Sequence, residues 1–163
     1  MFKSLKRVAK NATNLKTKVL FQIIFKDNDV QNFILDLNVF EQLFKEGELS
    51  DGGLLPTYST FSAQVNQGGV FRFTNSQGQS FSRTKTQNDP IFLLESGEFY
   101  KSFKVKVLDD GFVIQADALK DDGTDLVERY GKEILGLTKE SKNEIVQKIL
   151  PMVIKETRKA IRG

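Results

Sequence analysis

The acidic side chains are the main candidates for acid–base catalysis or metal binding in this chain, because histidine and cysteine are both absent. Without them, triads of the Ser-His-Asp and Cys-His kinds cannot form, and the commonest general base is missing. Glu95 and Glu98 could do acid–base work as a pair, but the intervening Ser96-Gly97 is typical of a water-exposed turn. The sequence therefore predicts no catalytic residue.

A second acidic group offers the oxygen ligands that hard cations prefer. It consists of Asp117, Asp121, Asp122 and Asp125. The spacing departs from the EF-hand loop, since Leu119 stands at the third position and Asp122 stands where the loop needs glycine. We interpret the group as a solvated acidic turn and predict no metal site.

Two glycine pairs have the spacing of a phosphate-binding loop, but neither is followed by the required lysine. Gly53 follows Gly52 in the first pair, and Leu137 follows Gly136 in the second. No Gly-x-Gly-x-x-Gly motif is present. We therefore predict no bound cofactor.

Basic residues gather at the two ends of the chain, although the net charge is only +3. Residues 2–26 carry seven basic side chains and no acid, and the last residues repeat the bias, whereas acids concentrate between 109 and 128. A basic end can be a solvated helix face, or it can dock on an acidic protein, a nucleic acid or a membrane. The groups Phe71-Arg72-Phe73 and Phe99-Tyr100-Lys101 resemble single-strand nucleic-acid binders. Half-buried strands and helices produce the same pattern.

No apolar run approaches the roughly 18 residues that a membrane span needs. The longest run, 19–25, is interrupted by Gln22, and the KDNDV after it offers no signal-peptide cleavage site. We expect a protein made in the cytosol and no membrane contact.

The opening, residues 1–47, is predicted to be helical. One stripe recurs at helical spacing, namely Leu5, Val8, Ala12, Leu15 and Val19. A second helix is expected from a cap at Asn28 or Asp29 to a stop at Gly47, with a short strand around Ile23 and Ile24 as the alternative before it.

The middle of the chain is polar and rich in Gly, Ser, Thr, Gln and Asn. Alternation predicts a strand at 70–74 and a second short strand around Phe81. Because residues 64–88 contain no acid and few core residues, we interpret them as a flexible or partner-ordered arm that reaches a neighbour.

The last part, residues 91–163, is predicted to hold a hairpin and a long helix. Asp109-Asp110-Gly111 between alternating runs is a strong hairpin signal, with Phe103, Val105 and Val107 facing the core and Lys104 and Lys106 facing water. A short helix at 125–130 and a loop at 131–137 follow. Thr138 is expected to cap the final helix, which Pro151 should kink. Its expected apolar face is Ile145, Ile149, Val153 or Met152, and Ala160 or Ile161.

Three groups of residues between 41 and 163, followed by a terminal amphipathic helix, come in the order found in one family. They are Asp51-Gly52…Tyr58-Ser59, Leu94-Glu95-Ser96-Gly97-Glu98-Phe99-Tyr100-Lys101-Ser102-Phe103, and Tyr130-Gly131…Ile134-Leu135-Gly136-Leu137-Thr138. The chain resembles small minor structural proteins of tailed bacteriophages, of the virion-morphogenesis and tail-completion kind, in the versions of phages of Bacteroidetes hosts. Two features depart from the family. The His-x-Phe-Gly element is replaced by Tyr130-Gly131, and the basic N-terminal helix lies outside the match.

The resemblance implies a non-enzymatic structural protein of the virion, acting at the head–tail joint or tail end as a homo-oligomeric ring among portal, neck or tail proteins. We expect an α+β fold in a single domain over 1–163, with a small antiparallel sheet flanked by N-terminal helices and a long C-terminal helix. The alternative is a nucleic-acid-binding module that uses the basic terminal helices. Interface residues are predicted to be Lys6, Arg7, Lys10, Phe71, Arg72, Phe73, Phe81 and Arg83.

Overall fold

The computed structural model describes residues 17–59 and 69–162. The order of elements is α1 (Thr17–Phe25), α2 (Asn28–Leu35), a π-helix (Asp36–Glu46), β1 (Val70–Thr74), β2 (Ser80–Thr84), α3 (Glu98–Lys101), β3 (Lys104–Val107), β4 (Phe112–Gln115), α4 (Leu126–Tyr130), a 3-10 turn (Lys132–Leu135) and α5 (Lys139–Arg162). The fold is α+β, as predicted. Its described strands form two separate antiparallel pairs, β1 with β2 and β3 with β4.

The junction between the first two helices differs from the prediction by one residue. Asp27 is extended and its carboxylate accepts hydrogen bonds from the backbone N–H groups of Asp29 and Val30. Asp27 is therefore the cap, and the expectation of Asn28 or Asp29 was wrong because both already lie inside the helix. Residues 23 and 24 belong to α1, so the alternative of a strand there is wrong too.

The second predicted helix continues from α2 into the π-helix and stops at Gly47, as expected. Gly47 has a φ of 66°, and a side chain there would collide with Pro90, so the stop needs glycine on both counts. Inside the π-helix, the buried amide of Asn38 donates to the carbonyl of Gly136 at 2.7 Å. Gln42 accepts hydrogen bonds from the Thr138 N–H and the Ser141 hydroxyl. These bonds join the π-helix to the start of α5.

An aromatic cluster forms the centre of the core. Phe44 of the π-helix is fully buried, and its ring meets those of Phe92 at 5.5 Å, Phe73 at 5.6 Å and Tyr100 at 6.5 Å. Edge-to-face pairs of this kind add about 0.5–1.5 kcal/mol each beyond the area that they bury. The described buried hydrophobic residues form one cluster that runs from residue 24 to residue 145.

The hairpin of β3 and β4 is confirmed. Val107 pairs with Phe112, and Leu108 N–H donates to the Gly111 carbonyl at 2.8 Å to close the turn. Phe103 is buried, Val105 and Val107 are partly buried, and Lys104 and Lys106 are exposed, as the alternation predicted.

The final helix begins as predicted, because Ser141 N–H donates to the Thr138 hydroxyl at 3.1 Å. Pro151 lies inside α5. On the predicted apolar face Ile145 is buried and Ile149, Met152, Val153 and Ile161 are partly buried, while Ala160 is exposed. The short helix α4 is confirmed with Asp125 as its cap, and the predicted loop after it contains the 3-10 turn.

Candidate functional site

The predicted interface residues fall in two places. Lys6, Arg7 and Lys10 lie outside the described residues. The other five lie on the hairpin of β1 and β2, whose register pairs Phe71 with Arg83 and Phe73 with Phe81. The structure therefore brings these five together on one small sheet.

One face of this hairpin packs on the core. The Phe73 ring lies 5.3 Å from Tyr100 and 6.0 Å from Phe40, and the Phe71 ring lies 5.4 Å from Phe92. Residues 69–84 are therefore held against the body, and the interpretation of 64–88 as a flexible or partner-ordered arm was wrong for this part. The sequence does contain a signal for this packing. Aromatic and other residues alternate along β1, so that Phe71 and Phe73 lie on the same face of the strand and turn inward.

Arg83 has a structural position rather than a free one. Its guanidinium donates to the carbonyls of Phe44 at 2.8 Å and Lys45 at 3.0 Å, and it lies 4.9 Å from the Phe92 ring. The last carbonyls of a helix have no partner within the helix and carry partial negative charge. Arg83 therefore satisfies the end of the π-helix.

Of the five predicted interface residues that the structure describes, Arg72 and Phe81 are exposed. Arg72 Nε donates to the Ser82 hydroxyl at 3.2 Å on the outer face of the hairpin. The Phe81 ring contacts the Lys45 ammonium at 5.6 Å and remains in part accessible. In the other aromatic–basic group, Tyr100 is buried in the core and is not available for stacking.

A cleft of about 520 Å³ lies at the end of the β3–β4 hairpin that is remote from its turn. Its walls are the irregular segment 91–99, the acidic loop 117–124 and helix α4. Apolar side chains, among them Leu93, Leu94, Phe99 and Leu126, form its floor. The volume is within the range of ligand sites, so this cleft is a second candidate site.

An ion-pair network crosses the cleft. The Lys120 ammonium lies 2.6 Å from a Glu95 carboxylate oxygen and 3.6 Å from Asp122. The hydrogen bond from Lys120 holds the pKa of Glu95 below its usual value, and the same bond raises the pKa of Lys120. Both residues are therefore charged at neutral pH.

Lys85 reaches the cleft from the end of β2 and has a different environment. Its ammonium lies 4.6 Å from the centre of the Phe71 ring and 5.6 Å from that of Tyr58. Burial lowers the pKa of Lys85. Within the part of the chain that the structure describes, no carboxylate lies at salt-bridge distance from it. A carboxylate brought by a ligand would find this cation unpaired.

Two buried tyrosines hold the backbone beneath the cleft. The Phe92 N–H donates to the Tyr58 hydroxyl at 3.3 Å, and the Tyr100 hydroxyl donates to the Phe92 carbonyl. Burial raises the pKa of Tyr58 to about 12 and that of Tyr100 well above its usual value. The next residue, Leu93, has a φ of 48°, which is rare for a bulky side chain and is found at sites that the surrounding structure holds in place.

The acidic turn predicted from the sequence is a turn in the structure. The Asp122 carboxylate accepts from the Thr124 N–H at 2.9 Å, and the Asp117 carboxylate accepts from the Leu119 N–H at 3.3 Å. Over residues 17–59 and 69–162, no group of three or more acidic side chains is placed to hold a metal ion. The arrangement can bind charged and apolar groups.

Sequence reasoning did not find this cleft. Its ion pair joins residues 25 positions apart, Glu95 and Lys120, and Lys85 comes from a third segment. The one available signal was the Ser96-Gly97 turn beside Glu95, which we interpreted as solvated. Such a site depends on contacts between residues that are distant in the chain, and the spacing of residues along the sequence does not reveal these contacts.

Comparison of the chain with family models, curated proteins and solved structures gives no match in any of the three. Among the helices in the described ranges, none has the length and apolar content to cross a bilayer.

Proposed function

We propose that this chain is a non-enzymatic structural protein of a tailed-phage virion, acting at the head–tail joint or the tail end through protein–protein contacts. It assembles as a homo-oligomeric ring, and its neighbours are portal, neck or tail proteins. The order of the motifs noted in the sequence supports this role. Their residues have scaffold positions, since Tyr100 and Phe103 are buried and Thr138 caps α5.

One observation carries the proposal, namely an apolar stripe on the outer face of α5. Val146, Leu150 and Ile154 follow at i, i+4 and i+8, and each is between 42% and 52% exposed. Residues at this spacing lie on one line of a helix. Single exposed apolar residues are ordinary, but a contiguous stripe marks an interaction surface, because burying it against a neighbour yields about 25 cal/mol per Å².

The test is the mass and symmetry of the full-length protein. We expect light scattering and sedimentation to give a defined oligomer, and electron microscopy with virion proteins to show it as a ring at one joint of the particle. A chain that stays monomeric at all concentrations and binds no virion protein contradicts the proposal.

A nucleic-acid-binding module is the alternative function, favoured by the exposed basic side chains at the end of α5, Lys155, Arg158 and Lys159. Phosphate contacts release counterions, so binding would weaken steeply between low and moderate salt. Assembly through the burial of apolar surface would not weaken in this way. A salt titration of binding to single-stranded and duplex DNA separates the two functions.

A further inference from the structure

The cleft beside α4 has an acidic rim above its apolar floor. Five acidic and three basic side chains line it, which gives a net charge of −2 at neutral pH. Three of the acids, Glu98, Asp117 and Asp121, have no ion-pair partner among the described residues. These three acids outnumber the two lining cations, Lys85 and Arg129, that have no ion pair among the described residues. A ligand that fits this cleft therefore has apolar side chains for the floor and more cations than acids for the rim.

The N-terminal segment of this same chain has that chemistry. Residues 2–26 carry seven basic side chains and no acid. Its apolar stripe (Leu5, Val8, Ala12, Leu15) has a helical spacing that continues in sequence into Val19 and Ile23 of α1. These last two residues are 51% and 52% exposed. The described end of the stripe therefore faces away from the body of its own chain.

The position of α1 separates the beginning of this helix from the cleft of its own chain. Lys18, at the beginning of α1, forms an ion pair with Asp109 at the turn of the β3–β4 hairpin. The cleft includes Ser102 and Asp117, which lie at the opposite end of the same hairpin. The chain therefore enters α1 at the end remote from its own cleft, and a neighbouring copy can present its cleft to the segment directly.

Charge also indicates which of two apolar surfaces, the α5 stripe or the floor of the cleft, the segment would bind. The outer stripe of α5 lies on a helix that ends in basic residues, Lys155, Arg158 and Lys159, against the single acid Glu156. A segment without acids would be repelled there, and it would be attracted to the acidic rim of the cleft.

We propose that residues 1–16 of one copy dock in the cleft of the next copy, with their apolar stripe on the floor and with Lys6, Arg7 and Lys10 facing the acidic rim. The contact presupposes the self-assembly proposed above and adds a second interface to that of the α5 stripe. Because it joins two different patches, it is a heterologous, head-to-tail contact, which closes into a ring when the rotation between copies permits.

Charge reversal on the full-length chain tests this contact. Two variants are needed, the segment variant K6E/R7E/K10E and the cleft variant E98K/D121K. Each should weaken self-association about tenfold or more in sedimentation equilibrium at low salt, since several ion pairs become repulsive contacts. Combining all five changes in one chain should restore most of the affinity, because opposite charges face each other again.

Mixing the two variants gives the sharper result. The segment variant keeps a normal cleft, and the cleft variant keeps a normal segment. The normal segment of the cleft variant can therefore bind the normal cleft of the segment variant, and the reversed segment also faces the reversed cleft with opposite charge. We expect the mixture to associate at concentrations at which neither variant associates alone. Matched controls change exposed charges elsewhere, K104E/K106E/K139E for the segment and E46K/E144K for the cleft, and should leave association unchanged.

Three results would overturn the proposal. The controls could weaken association as much as the test variants, or the reversals could leave the wild-type oligomer intact; either result would remove this interface and leave assembly itself standing. The third is a lower melting temperature in the segment variant and the cleft variant, with no change in their mass, and a normal melting temperature in the combined variant. That result would place the segment in the cleft of its own chain. A wild-type protein that is monomeric throughout and binds no virion protein would instead contradict the proposed function.

Discussion

At the residue scale, Arg83 shows how a predicted surface residue becomes a structural one. Its sequence neighbours suggested a basic surface, but the guanidinium satisfies two carbonyls at the end of the π-helix and covers the Phe92 ring. The paired Phe71 packs inward beside it. Arg72, on the same hairpin, makes one exposed hydrogen bond to Ser82. The two arginines form a matched pair for a stability test.

Replacing Arg83 by methionine should lower the free energy of unfolding by about 2 kcal/mol, because two partly buried carbonyls lose a charged donor. Arg72→Met should lower it by less than about 0.5 kcal/mol. Urea unfolding of the two variants measures the difference. Equal losses would contradict the capping role of Arg83.

The pKa of Glu95 makes a second prediction at this scale. Because Lys120 lowers the folded-state pKa of Glu95 below 4.5, the pair stabilises the fold above pH 4.5, and this contribution is lost as the pH falls through the lowered value. Glu95→Gln should therefore destabilise the protein at pH 7, by less than about 1 kcal/mol since the pair is partly exposed. The gap to wild type should close as the pH falls through the lowered pKa of Glu95, as measured by urea midpoints. Glu98→Gln, which removes a cleft acid without an ion pair, is the control.

At the scale of elements, Gln42 is one of the two buried amides that join the π-helix to the start of α5, and it bonds to α5 itself. Gln42 accepts hydrogen bonds from the Thr138 N–H at 3.2 Å and the Ser141 hydroxyl at 2.9 Å, and donates to the Gly136 carbonyl at 3.2 Å. The capped start of α5 is therefore held in position by a side chain 96 residues earlier.

Replacing Gln42 by methionine should cost about 2 kcal/mol or more, because it leaves buried donors without partners. Hydrogen exchange should accelerate at the amides of Thr138 and Ser141 more than at the end of α5. Gln147→Met, at an exposed position of α5, should change neither quantity. Uniform acceleration along the helix would mean that Gln42 acts only through global stability.

Elements whose signals are local could be predicted from the sequence, and those that depend on distant partners could not. The β3–β4 hairpin follows from an Asp-Gly turn between alternating runs, and the start of α5 follows from Thr138. The helical period of residues 30–44 predicted a helix but not its π form, in which Asn38 and Gln42 bond to residues near 136. The cleft was missed for the same reason, since the fold brings together Tyr58, Lys85 and the two segments 91–102 and 117–130 to form it.

At the scale of the whole molecule, the aromatic cluster fills the interior, and exposed large apolar residues lie on helices, strands and loops. Val146, Leu150 and Ile154 on α5, and Val19 and Ile23 on α1, are all about half exposed. α1 and α5 are in contact with each other. The two helices therefore carry two exposed apolar faces, the α5 stripe and the end of the N-terminal stripe.

Leu150→Lys should weaken assembly at least tenfold without lowering the stability of the monomer by more than about 0.5 kcal/mol, because the side chain is exposed before association. Gln147→Lys adds the same charge on the same helix and should leave assembly unchanged. Sedimentation equilibrium and urea unfolding measure the two properties. A large loss of monomer stability would mean that Leu150 packs within its own chain.

The two tyrosines that hold the Phe92 peptide also give the protein an optical signal of its own. The chain has no tryptophan and only three tyrosines. Burial raises the pKa of Tyr58 to about 12 and that of Tyr100 well above its usual value. An unfolded chain ionises them near pH 10, so their stabilising contribution is complete below that pH and is lost as the pH rises through the raised pKa values. In a Tyr130→Phe variant, which keeps only these two tyrosines, a rise of phenolate absorbance just above about pH 10 therefore reports unfolding with no added dye or label.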